Sequence, residues 1–289
     1  MKILLTGSTG FLGNYIKNNI DNKYNVLYGT TSKTNNKDYL KFDSLYKDIE
    51  KVLENKTIDC IIHNASIIPK NFDQATYELF LENTEMMKNL YEYAKKSYLN
   101  KFIYLSSFGS MSEPKLLDIG DYYTMSKVVG EHFCSMMNKK GINATSFRIS
   151  APFGEYSHIK NVLNIFIAKA LKDEDLILYG TGSREQNFTY AGNILNAIEL
   201  ALDNNAKGTY EIVGEKSISM LELAKTIIKL TKSKSKIVFN GLQDSQENYR
   251  PTYSFKKAFD DFGYYPKYTI EEALEKYLKW YKNENCINI

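Results

Sequence analysis

The stretch "LLTGSTGFLG", residues 4–13, decides the fold. It places Gly7, Gly10 and Gly13 directly after an apolar run typical of a strand and at the start of a helical pattern. Glycine permits a tight turn, close approach of the backbone to a pyrophosphate, and close packing of helix on strand. The helix N-terminus adds free N–H groups and about half a positive charge for phosphates. A plain turn needs one glycine rather than three, so the stretch predicts dinucleotide binding.

The rest of the N-terminal half continues to alternate strands with helices. Apolar runs predict strands at 2–6, 25–30, 39–43, 58–63, 101–107 and 143–149. Helical patterns lie between them, at about 11–22, 44–55, 73–98 and 121–140. Strands that alternate with helices of this length form parallel β-α-β units. We therefore predict an α/β fold with a doubly wound parallel sheet, the Rossmann architecture.

The alternation loosens after Pro152. The sequence predicts a strand at 208–213 and helices near 158–172, 191–203, 218–230, 254–262 and 270–284. We expect a dinucleotide-binding Rossmann domain, residues 1–150 plus about 184–213. A smaller α+β substrate domain, residues 151–183 and 214–289, should cap the carboxyl edge of the sheet, where such folds bind ligands.

Composition excludes several classes of function. The 289 residues carry a formal net charge of +3, and no basic run or acidic tail is long enough to indicate a nucleic-acid or membrane partner. The longest apolar stretches are too short to span a membrane. Because a strand pattern follows Met1 at once, without the regions of a signal peptide, we expect a cytoplasmic protein.

Cysteine and histidine do not form a recognisable cluster. Cys60, Cys134 and Cys286 are odd in number and widely spaced, which argues against a disulfide framework or a zinc site. The three histidines share no spacing typical of metal ligands, so no metal is predicted.

A tyrosine precedes a lysine by four residues in "DYYTMSK", residues 121–127. This spacing is weak evidence alone, because the sequence contains it four times: Tyr91 and Lys95, Tyr123 and Lys127, Tyr156 and Lys160, Tyr253 and Lys257. Its context is specific only for Tyr123, which begins the helix that follows the strand ending in Ser106 and Ser107.

With the G-x-x-G-x-x-G spacing, the serine and the tyrosine, the chain resembles the extended short-chain dehydrogenase/reductase family, which includes nucleotide-sugar epimerases and dehydratases. The resemblance runs over nearly the whole length. It implies a catalytic triad of Ser107, Tyr123 and Lys127, and a homodimer through the helices at 73–98 and 121–140. Ser106 should point to the opposite face of its strand.

Physical chemistry supports the role of the tyrosine. Residues i and i+4 share a helix face, so Lys127 can lie beside the Tyr123 phenol. An ammonium about 4 Å away is worth on the order of 4 kcal/mol at an effective dielectric near 20, roughly what lowers a tyrosine pKa from about 10 to near 7. Tyr123 can then act as acid toward a carbonyl or base toward a hydroxyl during hydride transfer. Ser107 would hold the same oxygen.

The resemblance also assigns cofactor contacts outside the first loop. Asp43 matches an aspartate that contacts adenine, although a helix N-cap is the alternative role. "HNAS", residues 63–66, matches the loop under the pyrophosphate, and Asn83 matches an asparagine that supports the active site. We expect these cofactor contacts: Gly7, Thr9, Gly10, Phe11, Leu12, Gly13, Thr30, Ser32, Lys33, Asp43, Asn64, Ala65, Asn83, Tyr123 and Lys127.

The second predicted strand ends in "GTTSK", residues 29–33, without the acid that grips the ribose 2′-hydroxyl of NAD. Hydroxyls and Lys33 stand where an acid would repel a 2′-phosphate. The sequence therefore favours NADP, with NAD as the other possibility. A plain exposed polar loop is the alternative explanation.

The residues after Ser107 narrow the reaction. Phe108 and Gly109 stand where the family's dehydratases have an acidic pair, and Gly109 stands where the epimerase-reductases that make GDP-fucose have a cysteine. What remains is reaction at C4 of a nucleotide-activated sugar, with 4-keto reduction favoured. The alternatives are a 4-epimerase of the UDP-hexose type with tightly bound NAD, a reductase of non-sugar carbonyls, and a non-catalytic NADP-sensing module.

Only three arginines occur, and a planar guanidinium suits a diphosphate. Arg184 and Arg250 fall in stretches that resemble the family's sugar-nucleotide contacts, with loop bracing as the alternative. For Arg148 we predict bracing. The chain departs from the family, which often has charged residues in place of Gln186, Asn187 and Ser254.

Overall fold

The computed structural model describes residues 1–69, 74–108 and 121–284. Gly109, Cys286 and residue 73, where a predicted helix begins, lie outside the described residues, as do the last five residues of the predicted substrate domain. The elements in chain order are β1 (Lys2–Thr6), α1 (Phe11–Asn19), β2 (Asn25–Thr30), β3 (Tyr39–Lys41), α2 (Ile49–Val52), β4 (Cys60–His63), α3 (Tyr77–Lys96), β5 (Lys101–Ser107), α4 (Tyr122–Lys139), β6 (Asn143–Ile149), β7 (Pro152–Phe153), α5 (Val162–Ala170), β8 (Leu176–Leu178), β9 (Glu185–Gln186), β10 (Thr189–Tyr190), α6 (Ala191–Asp203), β11 (Gly208–Ile212), β12 (Ile218–Ser219), α7 (Met220–Thr231), β13 (Ile237–Phe239), α8 (Lys256–Phe262) and α9 (Ile270–Glu284).

Seven strands form the central sheet, in the order β11-β6-β5-β4-β1-β2-β3. Every neighbouring pair is parallel. Strand order reverses between β1 and β4, which opens a crevice at their carboxyl ends where such sheets bind ligands. The predicted fold class, a doubly wound parallel sheet, is confirmed.

Alternation along the strands divides the core between the two faces of the sheet. Ile3 and Leu5 of β1 join the cluster that includes α6, whereas Leu4 joins the cluster that includes α3 and α4. Successive side chains of a strand point to opposite faces, so a strand covered on both sides is buried at every position. β4 shows this directly, since all four of its residues are buried.

The helices α3 and α4 pack on one face, and each begins at a side-chain cap. The Thr76 side chain accepts a hydrogen bond from the Leu79 amide, and that of Asp121 accepts from the Thr124 amide at 2.6 Å. These caps satisfy amides that helical bonding leaves open. The Asp121 cap fixes the first turn of α4, where Tyr123 lies. Dimerisation through α3 and α4 stays a prediction.

The C-terminal part is smaller and mixes helices with short strands. Two of its strands, β8 and β13, pair in parallel, and α7 packs against α5 and α9. These strands escape prediction because three residues are too few to show a period. The predicted strand at 208–213 joins the Rossmann sheet as β11, next to β6. The predicted domain boundaries stay predictions.

Two predicted helices are shorter than their sequence patterns indicate. The helix predicted at 44–55 is only α2, because the carboxylates of Asp43 and Asp48 accept backbone amides and hold the preceding segment in turns. The helix predicted near 158 begins at Val162, where the Asn161 side chain caps it by accepting from the Asn164 amide at 2.9 Å. Local side-chain bonds compete with the helix in this way.

Candidate active site

The glycine loop between β1 and α1 leaves room where a phosphate would lie. A Cβ on Gly13 would collide with the Gly7 carbonyl oxygen, so Gly13 is required for packing. Gly7 has a φ of +63°, and its Cβ would lie 2.7 Å from the Ala65 amide nitrogen. A Cβ on Gly10 would meet only the Gly7 oxygen, at 3.4 Å. Internal packing does not require a glycine at position 10. The missing side chain instead leaves open the space that borders the loop on its outer side.

That space is a cleft of about 340 Å³ at the carboxyl ends of β1, β2 and β4. Its volume and its place at the switch point of the sheet suit a dinucleotide. Other lining residues are Thr31, Ser44, Ser66, Ile67, Ile68, Met86, Pro152 and Ile159. Nine predicted cofactor contacts line it: Gly7, Thr9, Gly10, Phe11, Leu12, Thr30, Ser32, Asn64 and Ala65.

Six other predicted cofactor residues lie outside this lining, within the described part of the chain: two of them, Tyr123 and Lys127, lie on α4, and the other four are Gly13, Lys33, Asp43 and Asn83. Gly13 packs under the loop, and Lys33 is exposed. The Asp43 carboxylate accepts the amides of Leu45 at 2.7 Å, Lys47 at 3.1 Å and Asp48 at 2.9 Å. Its observed contacts are therefore those of a turn-bracing acid, and adenine contact stays a prediction.

Asn83, the fourth, braces the loop that follows β4. Its side chain accepts the Ile67 amide at 2.8 Å and donates to the Ile67 carbonyl at 3.0 Å. It also donates to the Ser126 hydroxyl at 3.4 Å, and Ser126 donates to the Tyr123 carbonyl. Asn83 thus ties the cleft loop to the first turn of α4.

Hydroxyl groups line the end of β2. Thr30 is buried, and its Oγ1 lies 3.1 Å from the Thr9 Oγ1 and accepts the Ser32 amide at 3.1 Å. This arrangement fixes the chain direction after β2, so that Ser32 lines the cleft while Lys33 faces solvent. In the described residues that line the cleft here, no acid accompanies these hydroxyls.

Tyr123 and Lys127 lie one turn apart on α4, beside the end of β5. The Lys127 ammonium is buried, donates to the Leu105 carbonyl at 3.0 Å, and lies 5.5 Å from the centre of the Tyr123 ring. Ser107 is half-buried and ends β5, opposite Ile149 of β6. The fold therefore brings the strand end and the tyrosine-lysine turn to the same edge as the cleft.

The prediction that Lys127 brings the pKa of Tyr123 down to near 7 is wrong for the protein without cofactor. Burial raises the pKa of Tyr123 to about 12, against a hydrogen bond with Ser66 that lowers it. Burial also lowers the pKa of Lys127 to about 8, opposed by Glu131. Because the same dry environment disfavours phenolate and ammonium alike, the lysine alone does not bring the phenol near neutrality.

Ser66 is a site residue that the sequence analysis misses. It lines the cleft, hydrogen-bonds the Tyr123 side chain and lies 3.4 Å from the Asn83 Oδ1. The available signal was its place in "HNAS", of which only the asparagine and alanine are assigned to the cofactor. Ser66 therefore links the cleft directly to the Tyr123 phenol.

Ser106 and Arg148 have structural partners, as predicted. The Ser106 hydroxyl donates to the Glu131 Oε1 at 2.7 Å, away from the face of Ser107. The Arg148 guanidinium binds both oxygens of the same carboxylate, at 2.9 Å and 2.7 Å. The bracing role of Arg148 is confirmed. Glu131, which holds both groups, is absent from the sequence analysis.

Arg184 and Arg250 lie in the C-terminal part and are paired with acids. Arg184 Nε lies 3.4 Å from an Asp244 oxygen, and Arg250 Nε lies 3.2 Å from a Glu185 oxygen. Arg184 borders a second cavity, of about 430 Å³, between α5 and β8. The walls of this cavity combine apolar residues with cations: Phe166, Ile177, Tyr179, Met220, Lys160, Lys169 and Arg184. Substrate contact by either arginine stays a prediction.

The segment that carries Arg250 also reaches the catalytic strand. The Tyr253 ring lies 3.9 Å, centre to centre, from that of Phe108, the residue after Ser107. The Tyr253 hydroxyl lies 2.8 Å from the Tyr249 hydroxyl. Residues 249–253 therefore form one wall beside the carboxyl end of β5.

The described residues contain neither a candidate metal site nor a candidate membrane-spanning helix. No three His, Cys, Asp or Glu side chains converge there in a geometry suited to a metal ion. None of the described helices is long and apolar enough to cross a membrane.

Similar proteins share this architecture over nearly the full chain. A Methanocaldococcus jannaschii protein with the provisional name UDP-glucose 4-epimerase is 28% identical, over 98% of this chain and 99% of its own. The structure of UDP-glucose 4-epimerase from Thermotoga maritima with UDP-glucose matches with a TM-score of 0.84 at 19% identity, covering 99% and 100% of the two chains. UDP-glucuronic acid 4-epimerase from Bacillus cereus, in complex with UDP-glucuronic acid and NAD, matches at 0.81 and 22%, covering 98% and 100%. The structural likenesses support the Rossmann fold.

The family assignment rests on a match to a family model. The sequence model of the NAD dependent epimerase/dehydratase family matches residues 3–213, more than half of the chain. This match agrees with the resemblance that the glycine loop and the Ser107, Tyr123 and Lys127 positions indicate. The chain belongs to the NAD dependent epimerase/dehydratase family.

Proposed function

We propose that this chain is an NAD(P)-dependent enzyme that acts at C4 of a nucleotide-activated sugar, and that its reaction is 4-epimerisation. The observation that carries the proposal is the pairing of the half-buried Tyr123 with the buried Lys127 beside a cleft suited to a dinucleotide. The sequence alone favours 4-keto reduction. The names of similar proteins, several of them nucleotide-sugar 4-epimerases, support epimerisation instead.

The residues of the cleft fit a nicotinamide dinucleotide. Gly10 leaves space that no internal contact requires, and this space lies at the start of α1, where a helix offers free amides to a phosphate. Thr9 and Leu12 would hold the pyrophosphate with this loop, and Asn64 and Ala65 would lie under it. A bound nicotinamide would supply the reversible hydride transfer that inversion at C4 requires.

The chain's own groups would manage the proton. Tyr123 would take the proton of the C4 hydroxyl while hydride leaves, then return it, and Ser107 would hold the same oxygen. Because burial raises the pKa of Tyr123 to about 12, the phenolate needs positive charge nearby. The Lys127 ammonium supplies part of it, and the oxidised ring of the cofactor supplies the rest.

The second cavity would take the nucleotide end of the substrate. The rings of Phe166 and Tyr179 suit a base, and Arg184, Lys160 and Lys169 suit a diphosphate. The observed ion pair between Arg184 and Asp244 would then be exchanged for phosphate. Uridine is a reasonable base, since similar proteins are named for UDP-sugars.

A 4-keto reductase that uses NADPH is the second candidate. Thr30 and Ser32 line the cleft where an NAD-specific enzyme usually presents an acid. Such an arrangement tolerates a 2′-phosphate. A preference for NADP would therefore support reduction, while NAD retained through turnover would support epimerisation.

One experiment separates the two reactions. The purified protein is denatured, and released dinucleotide is identified by mass spectrometry; fresh protein is then incubated with UDP-glucose, UDP-N-acetylglucosamine and UDP-glucuronic acid. An epimerase releases NAD and forms the 4-epimer without added cofactor. Empty protein that consumes NADPH only with a 4-keto nucleotide sugar identifies the reductase. Both candidate functions are overturned if the protein reduces simple aldehydes and keeps this activity when Arg184 and Arg250 are replaced by alanine.

A further inference from the structure

A nearly buried carboxylate lies behind the catalytic turn of α4. Glu131 follows Lys127 by one turn and Tyr123 by two, and its side chain is only 10% exposed. It accepts hydrogen bonds from the Ser106 hydroxyl and from two nitrogens of Arg148, all within 2.9 Å. A carboxylate this far from water is stable only when it is paired and hydrogen-bonded. These three donors meet that requirement.

The contacts of Glu131 hold α4 against the strand that carries Ser107. Lys127 donates to the carbonyl of Leu105, and Glu131 accepts from the next residue, Ser106. Two successive turns of the helix therefore bind two successive residues of β5, directly before the catalytic serine. Arg148 lies opposite Ser106 on β6, so the same carboxylate also fixes the neighbouring strand.

The charges around Lys127 give Glu131 a second effect. Burial lowers the pKa of His63 on β4 to about 3 and raises that of Tyr104 on β5 well above its ordinary value, so both are neutral. Tyr123, with its pKa near 12, is neutral too. Among these described groups, Glu131 is the negative charge that opposes the loss of the Lys127 proton. Arg148 on β6 balances part of that charge.

We propose that Glu131 is a positioning residue for the reaction, which fixes the tyrosine-lysine turn of α4 on β5 and keeps Lys127 in its charged form. The part of the inference that concerns turnover rests on the proposed function. The electrostatic part concerns the protein without substrate and can be measured separately.

Lysine titration followed by NMR tests that part directly. In protein labelled at the lysine side chains, the Lys127 signal is assigned by its loss in Lys127→Met. For Glu131→Gln, which keeps an oxygen for Ser106 but loses the charge, we expect the Lys127 midpoint to fall by about one pH unit. Glu92→Gln is the matched control, because it removes the same charge from an exposed pair with Lys95. An unmoved midpoint in folded Glu131→Gln overturns the inference.

The pH dependence of turnover tests positioning. A midpoint lowered from about 8 to about 7 predicts a kcat about fivefold lower at pH 8, with little change near pH 6 and little change in KM. Equal loss at every pH indicates a structural role only and overturns the inference. Glu131→Asp keeps the charge and should retain the wild-type midpoint; if Glu131→Gln does not fold, a lowered midpoint in Glu131→Asp is the contradicting result. If the Lys127 midpoint falls in Glu131→Gln but the wild-type protein turns over no nucleotide sugar, the proposed function is overturned and the electrostatic part of the inference stands.

Discussion

The two ends of the site differ in how their polar groups are satisfied. In the dinucleotide cleft, backbone amides and the space beside Gly10 are shaped by packing beneath the loop. In the C-terminal part, Arg184 and Arg250 are already paired with Asp244 and Glu185. The first region is built before its ligand arrives, whereas the second must exchange partners. Changes in the first should therefore affect folding and chemistry, and changes in the second mainly substrate affinity.

The largest expected effect is that of Tyr123→Phe. Removal of the hydroxyl deletes the proton carrier, and we expect kcat to fall roughly 10²–10⁴-fold. The phenylalanine ring still fills the half-buried site, so thermal stability and dinucleotide binding should stay near wild type. Initial rates and cofactor titration by fluorescence measure both. Turnover within threefold of wild type would show that another group carries the proton.

Two glycine variants test whether the cleft is preformed. Gly13→Ala forces a Cβ into the Gly7 carbonyl and the Ser8 backbone, and should cost about 1–3 kcal/mol of unfolding free energy or more. Gly10→Ala meets only one atom, at 3.4 Å, and should fold normally while binding dinucleotide more than tenfold more weakly. Denaturant unfolding and cofactor titration on both variants separate these effects. Equal destabilisation would refute the distinction between the two glycines.

Arginine variants test the exchange of partners. Arg184→Ala and Arg250→Ala should each raise KM for a nucleotide sugar about 10- to 100-fold, since a charged hydrogen bond is worth about 1.5–3 kcal/mol, with kcat within a few-fold. Asp244→Asn should lower KM, because it removes the acid that competes for Arg184. Lys88→Ala, in an exposed helical pair, is the control. A fall in kcat with unchanged KM would place the arginines in the chemistry instead.

The smallest expected effect concerns the choice of dinucleotide. Ser32→Asp adds an acid to the cleft and should weaken NADP binding relative to NAD by about 1–2 kcal/mol, roughly 5- to 30-fold. Ser32→Asn is the uncharged control. Dissociation constants for both cofactors measure the ratio, and an unchanged ratio in Ser32→Asp would exclude a role for this loop.

Local sequence pattern predicts most of the fold and, at the site, the dinucleotide cleft more completely than the surroundings of Tyr123 or the partners of the arginines. Glycine spacing and strand-helix alternation predict the sheet and the first loop of the cleft, because these depend on neighbours in the chain, whereas Asn64 and Ala65 are assigned by the family resemblance. The Tyr123 pKa could not be predicted, since it depends on burial produced by elements far apart in sequence. The acids paired with Arg184 and Arg250 lie about 60 residues away in the sequence. No local residue spacing predicts such pairs. Ser66 was missed because its role depends on where α4 lies.

The most direct test of the account is the ionisation of Tyr123 with and without oxidised cofactor. The difference in ultraviolet absorbance between wild type and Tyr123→Phe, followed against pH, isolates this phenol from the other tyrosines. We predict a pKa of about 12 for the empty protein and a value several units lower once oxidised NAD or NADP is bound. A pKa that does not change on cofactor binding would contradict the claim that the phenol faces the nicotinamide.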